Sequence, residues 1–158
     1  MQKRNDKTAS LTTHAYDKLP ASIRSLVNHA KEAAEKAHAP YSNFMVGAAL
    51  LMEDGQILTG NNQENVVFPA GICAERVVLS YAHANWPGTK PLKIAVAARR
   101  RDKDNYAFVT PCGICRQTLA EYEQKFRSAI EIYMFGPDQQ VIMAAGVDDL
   151  LPVKFADF

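Results

Sequence analysis

The sequence has little of what several protein classes require. Its three cysteines in 158 residues are too few, and odd in number, for the disulfide framework of a small secreted domain. No apolar run approaches the roughly 20 residues of a membrane-spanning helix, so we expect no membrane partner. With 18 Lys and Arg against 17 Asp and Glu, the chain lacks the basic surplus of a nucleic-acid-binding protein. A small neutral or polar ligand fits this balance better.

The N-terminal stretch, residues 1–18, is polar and without regular pattern, so we expect an arm of uncertain order. Its early basic residues are not followed by the apolar segment of a secretory signal. A Cys-x-x-Cys pair without such a signal is typical of metal or redox chemistry. The sequence therefore predicts a cytoplasmic protein. Its length and its hydrophobic fraction of 47% predict that residues 19–158 form a single domain with one core.

Apolar spacing predicts helices and strands in the order α-β-β-α-β-α-β-β. Apolar residues three and four apart indicate a helix between Leu19 and Pro40, a second that starts at Cys73 and a third that starts at Cys112. Continuous apolar segments indicate strands at 44–52, 56–59, 92–98, 130–135 and 140–143. This order predicts an α/β fold, with three α/β/α layers around a mixed five-stranded sheet.

All three cysteines lie in two short motifs, Ile-Cys-Ala-Glu-Arg at residues 72–76 and Thr-Pro-Cys-Gly-Ile-Cys-Arg at 110–116. Cys112 and Cys115 are one helical turn apart, and Cys73 supplies a third thiolate from a distant segment. Both segments begin helices, whose N-termini favour thiolates. Three protein ligands leave one position of a tetrahedral zinc for a catalytic water. We therefore expect one Zn²⁺ per subunit, bound by Cys73, Cys112 and Cys115.

Two charged residues next to Cys73 suit a catalytic zinc. Glu75 is the candidate proton carrier for the water. Residues two apart differ by about 200° around a regular helix, so Glu75 must reach the site from an irregular first turn. Arg76 is a candidate to hydrogen-bond the cysteine sulfurs and withdraw part of their charge. The alternatives are a Glu75 that complements the helix dipole and an Arg76 that lies on the surface.

The cysteines have two alternative interpretations besides a catalytic zinc site. A structural zinc site needs a fourth protein ligand. The histidines have no metal-ligand spacing to a cysteine; they are His14, His29, His38 and His83. A redox Cys-x-x-Cys pair explains neither Cys73 nor Glu75.

Together these motifs resemble the cytidine deaminases of the short, tetrameric kind, from about Pro20 to Phe155. Further matches are Phe-Met-Val-Gly-Ala-Ala-Leu at 44–50, Gly-Asn-Asn-Gln-Glu-Asn at 60–65 and Leu-Leu-Pro-Val-Lys-Phe at 150–155. Zinc deaminases combine a Pro-Cys-x-x-Cys pair with a glutamate that does not bind the metal. The resemblance implies zinc-dependent hydrolysis of cytidine and deoxycytidine to uridine and deoxyuridine, with release of ammonia. It also implies a homotetramer that serves pyrimidine salvage.

The resemblance further implies substrate contacts for named residues. Asn62 and Glu64 would hold the ribose hydroxyls, and Phe44 would lie beside the pyrimidine. The backbone N–H of Ala74 would meet the base carbonyl, and the carbonyl of Thr110 would accept the exocyclic amine. The alternatives are that Phe44 is a core aromatic and that Asn62 and Glu64 cap a turn.

Two aromatic positions depend on the implied oligomer. Phe155 would stack on the base in a neighbouring subunit, unless it is an ordinary core aromatic. Phe68 stands where the family usually has a tyrosine, so a hydroxyl near the subunit junction is absent.

Three rival functions differ from this interpretation in specific residues. Deaminases of the antibiotic blasticidin S share the cysteine motifs but lack the Asn-x-Glu of Asn62 and Glu64. The tRNA adenosine deaminases usually carry histidine as the first ligand, where this chain has Cys73. A zinc-binding protein without catalysis would not need Glu75.

Overall fold

The computed structural model describes residues 9–156, which form three α-helices and one sheet. The helices are α1 (Ala21–Ala34), α2 (Ala74–Asn85) and α3 (Gly113–Phe126). The strands are β1 (Leu11–Ala15), β2 (Phe44–Met52), β3 (Ile57–Asn61), β4 (Pro91–Arg100), β5 (Tyr106–Ala107), β6 (Glu131–Phe135) and β7 (Gln140–Ala144). No helix in this part of the chain has the length and apolar content of a membrane span.

The sheet has the strand order β1-β7-β6-β4-β2-β3, with β5 paired to the end of β4. Strands β4 and β6 run parallel, with Ile94 opposite Ile132, whereas the other pairs are antiparallel. Strands β4 and β6 are joined through α3, the kind of crossover that a parallel pair requires. The mixed sheet is therefore as predicted.

Helices cover both faces of the sheet. On one face α1 buries Ile23, Leu26 and Val27 in a cluster with Ala95 and Phe135. On the other face α2 and α3 bury Val78 and Leu119 in a cluster with Ile94 and Ile132. Successive residues of a strand point to opposite faces, so the neighbours Ile94 and Ala95 serve different layers. The predicted three-layer α/β/α fold is confirmed.

The sheet of the described residues has seven strands, not the predicted five. The five predicted strands are all present, and the two additional ones are β1 and β5. Strand β1 has the sequence Leu-Thr-Thr-His-Ala and is exposed at its first four positions. It pairs along the edge strand β7 from Leu11 opposite Ala144 to Ala15 opposite Gln140. An edge strand whose side chains are exposed lacks the apolar alternation that reveals a strand in sequence.

The predicted N-terminal arm, residues 1–18, is thus part of the sheet from Leu11 onward. A 3-10 turn, Tyr16–Lys18, then leads into α1. Residues 1–8 of the predicted arm lie outside the described residues.

The close approach of α1 to the sheet depends on Gly47 in the middle of β2. A Cβ atom at this position would lie 2.0 Å from the carbonyl oxygen of Ala30 and 2.3 Å from the nitrogen of Ala34. Both neighbours are backbone atoms of a helix, which cannot rotate aside. Gly47 is therefore required for packing.

Gly47→Ala is expected to lower the free energy of unfolding by about 3 kcal/mol or more, because α1 has to move off the sheet. Gly88→Ala is the matched control, since a Cβ there meets nothing within 4 Å. Urea unfolding followed by circular dichroism measures both. Equal midpoints for the two variants would contradict this account of the α1 interface.

Candidate active site

The helices α2 and α3 begin next to each other, and their first residues bring the three cysteines together. Cys73 is the N-cap of α2 and Cys112 the N-cap of α3, while Cys115 lies in the first turn of α3. The Sγ of Cys112 is 3.8 Å from that of Cys73 and 3.5 Å from that of Cys115. All three sulfurs lie within 4.8 Å of one another. Thiolates on one tetrahedral zinc are about 3.8 Å apart, so the cluster fits this metal.

The cluster consists of cysteines alone. Among residues 9–156, it is the one group of three or more His, Cys, Asp or Glu side chains close enough to share a metal ion. No histidine joins it. Three protein ligands are typical of a catalytic zinc site, whereas structural sites normally have four.

Hydrogen bonds and charges shift the pKa values of Cys73 and Cys115 in opposite directions. The hydrogen bond from the Cys115 thiol is the largest effect on Cys73 and, with smaller contributions from Cys112 and the positive charge of Arg76, lowers the pKa of Cys73 to about 6. Burial opposes this shift. The pKa of Cys115 is raised, first by its bond to Cys73 and then by burial. The neighbouring sulfurs and Arg76 therefore favour the thiolate form of Cys73 over that of Cys115.

Glu75 is the buried carboxylic acid of the site, with 4% of its surface exposed. Burial, with a smaller contribution from the charge of Cys73, raises its pKa. The backbone of Cys73 is extended (φ −71°, ψ 152°), so the regular helix starts only at Ala74. Glu75 is therefore part of the regular helix and not of the expected irregular turn, and it lines the same cavity as Cys73 because Cys73 lies before the helix.

A cavity of about 210 Å³ lies in front of the cysteines. It is lined by most of the predicted site residues, namely Phe44, Asn62, Cys73, Ala74, Glu75, Thr110 and Cys112. Val46, Val96 and Val109 also line it and were not among the predicted residues. Val46 follows Phe44 by two positions in a strand and therefore faces the same side, a signal that the sequence does contain.

Asn62 is fixed at the edge of the sheet by its own side chain. Its Oδ1 accepts a hydrogen bond from the Val46 nitrogen at 2.8 Å, and its Nδ2 donates to the Phe44 oxygen at 2.9 Å. Gly60, two residues earlier, lets α2 sit close, since a Cβ there would lie 2.9 Å from the Ala74 oxygen. The strand β2, Asn62 and the start of α2 thus form one rigid wall.

Glu64 does not line the cavity but an adjacent pocket of about 420 Å³. Its carboxylate accepts hydrogen bonds from the backbone nitrogens of Tyr41 and Ser42, at 2.8 and 3.3 Å, and from the Ser42 hydroxyl. The hydroxyl bond is the main reason why the pKa of Glu64 is lowered. Glu64 is therefore an oriented carboxylate at the rim of the site. Phe68 lines the same pocket.

The comparisons with known proteins agree with this geometry. The model of the cytidine and deoxycytidylate deaminase zinc-binding region matches residues 20–128. The cytidine deaminase of Halalkalibacterium halodurans is 40% identical over 131 residues, which are 82% of this chain and 91% of that protein. A probable cytidine deaminase of Dictyostelium discoideum is 36% identical over 135 residues, or 85% and 84% of the two chains. The chain belongs to the cytidine and deoxycytidylate deaminase family.

The structural comparison supports the same family. The crystal structure of cytidine deaminase from Burkholderia pseudomallei matches with a TM-score of 0.71 at 36% identity, covering 84% of this chain and 98% of that one. Family membership confirms the predicted resemblance and, with the cysteine cluster, the predicted zinc cofactor. The roles of individual substrate-binding residues stay predictions.

Two predicted residues of the family pattern, Phe155 and Arg76, do not line the cavity. Phe155 is 69% exposed and does not line the cavity of its own chain. In the described part of the chain, no hydrogen bond joins Arg76 to a cysteine sulfur; its positive charge still lowers the pKa of Cys73. The positive charge of Arg76 thus favours the Cys73 thiolate, and its contact with the sulfurs stays a prediction.

Cys73→Ala and Cys115→Ala each remove one sulfur, and we expect the zinc content to fall at least about tenfold after dialysis against a chelator. The wild-type protein should retain one zinc per chain, measured by atomic emission. His29→Asn is the control, because His29 bonds to the Ser25 carbonyl in α1. Full zinc retention by both cysteine variants would contradict the cluster as the metal site.

Proposed function

We propose that this chain catalyses the zinc-dependent hydrolysis of cytidine and deoxycytidine to uridine and deoxyuridine, with release of ammonia, as an enzyme of pyrimidine salvage in the cytoplasm. The observation that supports this most directly is the buried Glu75 carboxyl in one cavity with two of the three clustered cysteines. The relatives named cytidine deaminase, at 36% and 40% identity, support the substrate class.

Cys73, Cys112 and Cys115 would hold the zinc, which would lower the pKa of a water so that it can lose a proton near neutral pH. Glu75 accepts that proton and delivers it to N3 of the pyrimidine while the oxygen adds to C4. Glu75 then takes the remaining proton of the added hydroxyl and delivers it to the amine, and the C4–N4 bond breaks to release ammonia. Because Glu75 is screened from solvent, the proton passes between the reacting atoms without loss to water.

The start of α2 is suited to bind the base. The first N–H groups of a helix have no partner within it, so the nitrogen of Ala74 is free to donate to the base carbonyl. The carbonyl of Thr110, in the segment before α3, accepts a hydrogen bond from the exocyclic amine. The ring of Phe44 forms the side wall of the pyrimidine subsite. All three residues line the cavity.

The size of the cavity argues that the ribose extends out of it. At about 210 Å³, it is smaller than the usual ligand pocket of roughly 300–1,000 Å³. Asn62 lines the cavity, and Glu64 lines the adjacent pocket. The Asn62 amide keeps one N–H and one lone pair beyond its two bonds to β2, enough for a ribose hydroxyl. Glu64 then takes the next hydroxyl.

A homotetramer in which neighbours complete each pocket is part of this proposal. Val66, Val67 and Phe68 are consecutive apolar residues with 75%, 61% and 74% of their surfaces exposed. An apolar run of this kind at the rim of a site is typical of a subunit interface. In this proposal Phe155, which is also exposed, stacks on the base in the neighbouring subunit. Phe68 contributes a ring to this junction without the usual hydroxyl.

Glu75→Gln removes the proton carrier and keeps its size, so we expect cytidine turnover to fall about 10²- to 10⁴-fold. Zinc content and thermal unfolding should stay as in the wild type. Loss of ultraviolet absorbance measures turnover, with zinc quantified in the same sample. Glu121→Gln, on the exposed side of α3, is the control. Unchanged turnover in the Glu75 variant would discard its catalytic role.

Glu64→Ala removes a ribose contact, so we expect the KM for cytidine to rise about tenfold, the cost of one hydrogen bond to a charged group. Wild-type protein should deaminate cytidine and deoxycytidine and leave blasticidin S unchanged. Steady-state kinetics with the three compounds provide the measurement. Faster turnover of blasticidin S than of cytidine would instead favour the antibiotic deaminase.

A further inference from the structure

The two residues after Cys115, Arg116 and Gln117, reach away from the zinc cluster to the C-terminal segment. Gln117 makes two hydrogen bonds to the backbone of a single residue, Phe155. Its Nε2 donates to the Phe155 oxygen at 2.8 Å, and its Oε1 accepts from the Phe155 nitrogen at 3.3 Å. A planar amide that engages both backbone groups of one residue fixes its position and its rotation.

Arg116 connects the same helix turn to two other segments. Its Nε donates to the Pro111 oxygen at 2.7 Å and its Nη2 to the Thr110 hydroxyl at 3.1 Å, within the segment that precedes Cys112. Its Nη1 donates to the Leu150 oxygen at 2.8 Å. One guanidinium thus joins the metal-binding segment to Leu150, the residue directly before the C-terminal segment.

The C-terminal segment, residues 151–156, has no helix or strand of its own. Backbone groups without regular pairing need other partners. Here α3 supplies them, because Gln124 also donates to the Ala156 oxygen at 3.0 Å. The place of Phe155 is set by Gln117, which bonds to both of its backbone groups, whereas Gln124 bonds only to the next residue, Ala156.

We propose that Gln117 is the positioning residue for Phe155, so that the helix bearing the zinc ligands of one subunit also aligns the aromatic ring that completes the site of its neighbour. This inference rests on the proposed function, in which Phe155 stacks on the base. Gln117 touches neither substrate nor metal in this assignment. Its effect passes through the backbone of Phe155.

The test is a double-mutant cycle of Gln117→Ala and Phe155→Ala, with KM and kcat for cytidine measured separately. Loss of a stacked aromatic contact raises KM roughly three- to tenfold. We expect Gln117→Ala to raise KM by a similar factor with kcat changed less than about twofold, and to add less than about twofold in the Phe155→Ala background. Zinc content should stay at one per chain.

Two further variants separate alignment from general damage to α3. Gln117→Glu keeps the size of the side chain and the bond from the Phe155 nitrogen but loses the bond to the oxygen, so its KM should lie between wild type and Gln117→Ala. Gln124→Ala loses a comparable bond to Ala156 and should leave KM within about twofold of wild type.

If the effects of Gln117→Ala and Phe155→Ala on KM multiply in the double variant, the two residues act independently and the proposed role of Gln117 is wrong. Cytidine turnover by the wild type would still support the proposed function. An equal rise of KM in Gln124→Ala would overturn it too. A wild-type protein without cytidine turnover overturns the proposed function, and this inference with it.

Discussion

The site exists only because two helices distant in sequence begin at the same point. Cys73 precedes the first residue of α2, and Cys112 precedes that of α3, with their sulfurs 3.8 Å apart. This meeting is set by the packing of both helices on one face of the sheet, through residues such as Val78 and Leu119. Small residues allow it, since Gly60 lets α2 approach β3. The metal cluster, the buried Glu75 and the cavity all follow from that arrangement.

The chemistry could be predicted from the sequence because its residues are few and local. The three cysteines all lie in two short motifs, and Glu75 follows Cys73 by two residues. The core helices and strands follow from apolar spacing, because each buries one face or both. Phe44 and Asn62 were predicted from the family resemblance, and both line the cavity in the structure.

Some features of the structure could not be predicted from the sequence. They depend on contacts that leave no apolar pattern, or on a second chain. Strand β1 is held by backbone pairing to β7, and its polar residues give no period. Arg116 and Gln117 act through side-chain bonds to backbone atoms 34 and 38 residues away, which no local rule anticipates. Glu64 and Phe155 lie outside the cavity of their own chain, so their predicted roles need the substrate or a neighbouring subunit to become visible.

We expect three sulfurs to bind a zinc and to leave its fourth position to solvent. X-ray absorption at the zinc edge on the purified protein measures this coordination. We predict three sulfur neighbours and one lighter oxygen neighbour per zinc. A fourth sulfur, or an imidazole nitrogen in place of the oxygen, would mean a closed structural site and would contradict it.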